Sequence, residues 1–271
     1  MATTPTIKDR LLSRRIIAPG ILLVVALVLW QLASTFLVEP SKSFLLPSPV
    51  TVVQDGFMNS IILEEIAVGT WNTVVIAVVG FTVAAILAIA IAVLMNLADW
   101  LEATIFPYAI LVQTIPILAI VPLVGFWVGF NFASRVLVCV IIAFFPIVTN
   151  TLFGLKSADP LLHNLLTIAG ASRTTRLFKL EFPSALPAMF TGFRISAGAA
   201  VVGAIVADYF FRSGSPGLGR LLQTYLNNLQ SAALFAAVGV SVLLGVLVFW
   251  IVGWAERAAT GKWSTSVRAM A

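Results

Sequence analysis

The stretch that decides the fold lies between two apolar runs. It reads Gly154-Leu-Lys-Ser-Ala-Asp-Pro160, Leu161-Leu-His-Asn-Leu-Leu-Thr-Ile-Ala-Gly170, Ala171-Ser-Arg-Thr-Thr-Arg-Leu-Phe-Lys-Leu180 and Glu181-Phe-Pro-Ser-Ala-Leu-Pro187. At 34 residues it is too long for a simple helix hairpin and too polar to sit in lipid. Asp159-Pro160 has the form of a helix start, with Asp as the cap and Pro in the first turn. Leu161, Leu162, Leu165, Leu166, Ile168 and Ala169 then supply an apolar face. Gly170-Ala171-Ser172 breaks that helix, and a second short helix is predicted over 174–180. Pro183 and Pro187 bracket the start of the next apolar run. Exposed apolar surface on such a helix pair points to a protein partner. Arg173, Arg176 and Lys179 suit equally a helix resting on lipid headgroups. On the residues alone the two readings stand level.

Outward from this segment, the chain is built for lipid. Of its 271 residues 60% are hydrophobic and only 10% charged, and the mean hydropathy is +1.06. A soluble domain carries about 25% charged residues, so a soluble enzyme, a disordered chain and a nucleic-acid-binding domain are excluded. A spanning helix needs about 20 apolar residues. Runs nearly free of Asp, Glu, Lys and Arg occur at 16–38, 70–98, 103–134, 136–155, 182–209 and 232–255. None alternates as a barrel strand would, so the expected fold is all-α, with six transmembrane helices. The first run follows four basic residues, as in a signal peptide. It is too long for that and is read as a retained span.

Loop charges give the orientation. With the N-terminus inside, Lys8, Arg10, Arg14, Arg15, Lys156, Arg173, Arg176, Lys179, Arg257, Lys262 and Arg268 are cytoplasmic, eleven in all. Only Lys42, Arg135, Arg212 and Arg220 fall outside, and Arg194 lies within the fifth run. The bias places both termini in the cytoplasm. The chain then divides into a cytoplasmic segment 1–15, a six-span domain 16–256 with the cytoplasmic loop 154–187, and a cytoplasmic tail 257–271. The expected location is a cell membrane, crossed several times.

Other segments carry weaker signals. Pro47-Ser48-Pro49 forms an extended turn, and 50–68 has the spacing of an amphipathic helix at the outer interface. It reads as a connector in preference to a docking surface. The third run holds Gln113, Thr114, Pro116 and Pro122; a proline bend there and Asn96 nearby are candidates for lining a solute pathway. Packing alone explains the same kink. Arg194 reads first as a span anchor and second as a solute contact, and Ser196, two residues on, is a further weak pathway candidate. Gly192, Gly198 and Gly203 suit close helix approach.

Several activities lack their residues. One cysteine, Cys139, and one histidine, His163, make no metal cluster, and no nucleophile–base pair is legible. No Gly-x-x-x-x-Gly-Lys-Ser/Thr occurs, so ATP binding is not expected of this chain. An ion-coupled carrier usually keeps acidic or histidine residues within its spans, and these runs hold almost none. A secondary transporter or a channel remains the alternative reading.

The motifs together resemble the permease subunits of type I ABC importers, in the branch of nitrate, sulfonate, taurine and thiamine-precursor permeases. That family carries a cytoplasmic loop of the pattern Glu-Ala-Ala, three residues, Gly, then an aliphatic residue ten past the Gly and Leu-Pro twelve and thirteen past it. Here Gly170, Leu180, Phe182 and Pro183 stand at those offsets, while Asn164, Leu165 and Leu166 replace Glu-Ala-Ala. Leu46-Pro-Ser-Pro49, Gln113-Thr-Ile-Pro116, Gly192-Phe-Arg194 and Gly217-Leu-Gly219 also match, so the likeness covers nearly the whole chain. The resemblance implies a MetI-like permease fold and ATP-driven import by alternating access. It implies that Asn164, Leu165, Leu166, Gly170, Ala171 and Ser172 contact a separate cytoplasmic ATPase pair, which holds ATP and Mg²⁺. It also implies a second permease copy, as a homodimer, and an external solute-binding protein. Without the Glu, apolar and backbone contacts would carry the coupling. Nitrate, sulfonates and aromatic vitamin precursors all stay open as solute; Asp208-Tyr-Phe-Phe211 leans toward a pyrimidine or flavin precursor.

Overall fold

The computed structural model describes residues 7–211 and 214–260. Arg212, Lys262 and Arg268, counted in the charge bias, lie outside the described residues. The charge-free runs become long helices: α1 (Ile7–Phe36), α2 (Ser60–Leu97), α3 (Asp99–Thr114), α4 (Ile117–Val128) and α5 (Phe132–Lys156). After the short α6 (Pro160–Ile168) come α7 (Phe182–Phe210), α8 (Leu218–Asn227) and α9 (Ser231–Thr260). Among the described residues five helices are long and apolar enough to cross a membrane, or six if the bent pair α3–α4 is one span.

That pair corrects the expected third span. Instead of one kinked helix, α3 and α4 meet at 101°. Pro116 is the cause: it pushes Ile115 out of the helical region, to φ −71° and ψ 127°, and begins a new helix. A second correction concerns 50–68. Ser48 caps a single turn, Pro49–Thr51, by accepting the Thr51 N–H at 3.1 Å. A π-helical turn, Val52–Phe57, follows, and α2 then starts at Ser60 and runs on for 38 residues. The second half of the expected interfacial helix is therefore the start of the second span. A third correction is that 174–180 is no separate helix. Arg173–Arg176 leads through a π-helical turn, Leu177–Glu181, straight into α7. Pro183 falls in the first turn of α7, where its missing N–H would be unpaired anyway.

The residues form two compact units, 1–64 with 224–238, and 65–223 with 239–271. The core of the second is the antiparallel pair α5 and α7. Small residues bring the two backbones together. A Cβ on Gly154 would stand 2.9 Å from the Ala185 backbone, one on Gly192 2.9 Å from the Pro146 carbonyl, and one on Gly203 3.2 Å from Cys139 Cα. Ala84, Ala88, Ala92 and Met95, one stripe of α2, pack with Ala143, Ile147, Val148 and Leu152 of α5 and with Ala200 of α7. Val121 and Val124 of α4 meet Val138, Ala207 and Phe211 in a second cluster. Ile86, Leu243, Leu247 and Trp250 stay exposed, the shell that lipid covers. In the first unit, Trp30 of α1 packs on Phe235 with ring centroids 5.4 Å apart. Gly56 admits Ala236 closely; a Cβ there would lie 2.8 Å from the Ala236 Cβ.

Candidate functional site

The loop between α5 and α7 is built by local capping. Asp159 Oδ1 accepts the Leu161 N–H at 2.8 Å, and Pro160 fills the first position of α6. At the other end Gly170 adopts φ +71°. The Gly170 N–H donates to Thr167 O at 3.0 Å and the Ala171 N–H to Leu166 O at 2.9 Å, which closes a Schellman motif. Nothing stands within 4 Å of a Cβ at Gly170, so conformation and not space requires glycine. Ser172 Oγ then accepts the Thr175 N–H at 3.2 Å and starts the next turn.

The helix α6 has two unlike faces. One is pinned. Arg176 Nη1 donates to Thr167 Oγ1 at 2.7 Å, and His163 Nδ1 lies 3.7 Å from Glu181 Oε1. Asn96 Nδ2 of α2 donates to the other Glu181 oxygen at 2.6 Å, and Lys156 pairs with Glu102. Asn96, Lys156, His163, Arg176 and Glu181 line a polar cavity of about 430 Å³, together with Asn164. The other face is apolar and open. Leu161, Leu165 and Ile168, at i, i+4 and i+7, are 76%, 61% and 86% exposed. Beneath the loop Leu155, Leu177, Ala185 and Met189 form an apolar foot against which Phe182 packs, and Leu180 is buried. Charges hold the helix from behind while its hydrophobic stripe is left free.

The residues expected to couple therefore divide. Asn164, Leu165, Leu166, Gly170, Ala171 and Ser172 sit together on the protruding helix and its cap. Phe182 packs on the foot, Leu180 is buried, and Pro183 lies in the first turn of α7. The expected pathway residues are not brought together. Asn96 is bonded to Glu181 behind α6. Ser196 is fully buried and donates to Ala143 O at 2.7 Å, a staple between α7 and α5. Arg194 pairs with Glu256 of α9 at 2.8 Å and lies 4.9 Å from the centroid of the Phe249 ring. Gln113 and Thr114 are exposed at the end of α3, beside the break at Pro116. Thr114 Oγ1 donates back to Leu111 O at 2.8 Å.

One polar cluster was not expected. Arg135, assigned by charge to an outside loop, is 3% exposed inside the first turn of α5 and pairs with Asp208 of α7 at 2.8 Å. Its guanidinium also donates to Ser215 O at 3.0 Å and Phe211 O at 3.3 Å. Asp208 Oδ2 accepts the Gly217 N–H at 2.9 Å and the Arg220 N–H at 2.7 Å, and Thr73 Oγ1 of α2 accepts the Leu218 N–H at 2.9 Å. The cluster ties α2, α5 and α7 to the turn before α8. Its sequence signal was present: α5 begins and α7 ends at the same side of the membrane, each with one opposite charge. A pairing by membrane depth finds it; a scan for charge-free runs discards Arg135 as a boundary.

Long apolar helices, a capped polar loop with a free hydrophobic face and a closed ionic clamp at the far end of α7 define a multi-span transporter component. The sequence profile described as binding-protein-dependent transport system inner membrane component matches residues 80–261, and the chain belongs to that family, as an ABC importer permease. It is 30% identical over 239 residues to the formylaminopyrimidine transport permease of Halalkalibacterium halodurans, covering 88% of this chain and 92% of that one. It is 32% identical over 244 residues to the riboflavin transport system permease of Chloroflexus aurantiacus, covering 90% and 89%. Among solved structures, an inward-facing MetNI methionine ABC transporter chain superposes with a TM-score of 0.66 at 16% identity, over 74% of this chain and 99% of that one. The fold is thus the MetI-like permease fold. The function is transport across the membrane, and the chain is no enzyme in its own right.

Proposed function

We propose that this permease imports a nitrogen heterocycle of the pyrimidine or flavin-precursor type, driven by a separate ATPase that seats on α6. The observation that carries the coupling is the two-faced helix: Leu161, Leu165 and Ile168 are free while His163 and Thr167 are held from behind. A partner groove that buries this stripe gains about 25 cal/mol per Å² of apolar area. Asn164, Leu165, Leu166, Gly170, Ala171 and Ser172 form the contact. ATP and Mg²⁺ belong to the ATPase, whose closure moves two such loops, one from each copy of a permease homodimer, and rocks the spans between inward- and outward-facing states. Both termini face the cytoplasm, in keeping with the basic loops, and a binding protein delivers the solute outside. The solute class rests on the two relatives named for formylaminopyrimidine and riboflavin.

The test is a mild-detergent pull-down of the tagged chain from its native membranes. A Walker-motif ATPase in equal amount should accompany the wild type. It should be lost on Leu165→Asp with Ile168→Asp and kept on Leu247→Asn, which lies on an exposed span face. Recovery of the chain alone, wild type and variants alike, would mean that α6 rests on lipid headgroups and would overturn the coupling reading.

A further inference from the structure

Within the first unit a cavity of about 840 Å³ opens between the end of α1, the turn 44–59 and the bend at 229–233. Its size is that of a site for a small organic ligand. Its chemistry is one-sided. Gln31, Gln54, Asn59 and Gln230 present carboxamides and Asp55 a carboxylate, while no Lys, Arg or His is among the described lining residues. Phe44, Met58 and Leu229 add apolar surface.

Two further observations mark the cavity as more than a gap. Gln31 Nε2 donates to Thr35 Oγ1 at 3.2 Å, but Gln31 Oε1 is buried without a hydrogen-bond partner. A buried carbonyl oxygen in that state lacks a donor. Leu229, which also lines the cavity, has φ +56°, the one non-glycine residue with positive φ among the described residues. It occupies the αL position of a Schellman closure, with the Gln230 N–H donating to Tyr225 O at 2.9 Å and the Leu229 N–H to Leu226 O at 3.2 Å. Glycine would relieve that strain, and a bulky residue held there is a mark of functional sites.

We infer that this cavity is a receiving site for an amino-bearing, neutral or cationic nitrogen heterocycle, and that it rejects anions. The Asp55 carboxylate and Gln31 Oε1 accept from an exocyclic amine or a protonated ring. The carboxamide N–H groups of Gln54, Asn59 and Gln230 reach ring nitrogens and carbonyls, and Phe44 and Met58 cover the ring face. Nitrate or a sulfonate calls for a guanidinium or ammonium, and the site offers a carboxylate instead. The inference rests on the importer reading and gives it a solute site.

The experiment uses the permease purified with its ATPase in lipid nanodiscs and measures equilibrium binding of radiolabelled hydroxymethylpyrimidine. Saturable binding is expected. Asp55→Asn and Gln31→Met should each weaken it by about tenfold, the value of one charge-assisted or buried bond. Excess nitrate or methanesulfonate should displace nothing. A Gly245→Ala variant, remote from the cavity, should bind as the wild type does. Absent binding, unchanged affinity in both cavity variants, or displacement by the anions would overturn the proposal even where the ATPase co-purifies. Failure of the ATPase to co-purify would instead sink the importer reading, whatever the cavity binds.

Discussion

Replacing Asp208 by Asn tests how far the C-terminal end of α7 depends on one charge. Asn keeps the shape, and its carbonyl oxygen still accepts the Gly217 and Arg220 N–H groups that Asp208 Oδ2 accepts at 2.9 and 2.7 Å. What vanishes is the negative charge 2.8 Å from the Arg135 guanidinium, in a pair whose side chains are 4% and 0% exposed. Removing one partner of such a pair costs about 3–5 kcal/mol, because the other charge stays buried. At about 2–4 °C per kcal/mol for a chain of this size, Tm should fall by about 10 °C in detergent. Arg135→Gln with Asp208→Asn removes both charges and should recover more than half of that loss, since a neutral replacement of a buried pair is often close to harmless. Thermal unfolding of the single and double variants measures the coupling. If Asp208→Asn melts with the wild type, or if the double variant loses the sum of the two singles, the clamp is not what holds this end together.

Three smaller perturbations separate conformation, packing and hydrogen bonding. Gly170→Ala meets nothing within 4 Å, so it should cost about 1–2 kcal/mol through its φ of +71° alone, with Gly170→Asn milder, as read by thermal unfolding. Gly192→Val puts a branched side chain where a Cβ already lies 2.9 Å from the Pro146 carbonyl; a loss of about 1–3 kcal/mol or more is expected, against almost none for Gly245→Val, which has open space. Ser196→Ala removes the 2.7 Å bond to Ala143 O and should cost only about 0.6 kcal/mol while transport continues, because Ser196 is fully buried between α7 and α5. A loss of uptake at unchanged stability would return Ser196 to the pathway.

The helices were legible because lipid demands long apolar runs, and the capped loop was legible because Asp159-Pro160 and Gly170 are local devices. Where the reading failed, the cause was an interaction across sequence or a competition between neighbours. Pro122 and Pro116 both stand in an apolar run, yet only Pro116 ends a helix; Pro122 is absorbed within α4. The stretch 50–68 does have helical spacing, but Gly56 and the break at Asn59 divide it, and its polar residues do not outweigh continuity with α2. Arg135 looked like a loop residue because its partner lies 73 positions away. The free stripe on α6 could be placed from spacing. Its pinned back could not, because Asn96 and Glu181 come from other elements.

The continuity of the chain from the foot of the loop to the far clamp bears on how a load would travel. From Arg173 to Phe210 the chain is one 38-residue helical rod, with the π-helical turn taken up without a break. At 1.5 Å per residue it is about 57 Å long. Its near end is rooted in the apolar foot at Leu177, and its far end carries Asp208. The helix runs on through the π-helical turn and past Pro187, so the foot and the Asp208 end belong to one element. Tilt or rotation of this rod therefore links the foot at Leu177 to the Arg135–Asp208 clamp, the two ends of one lever.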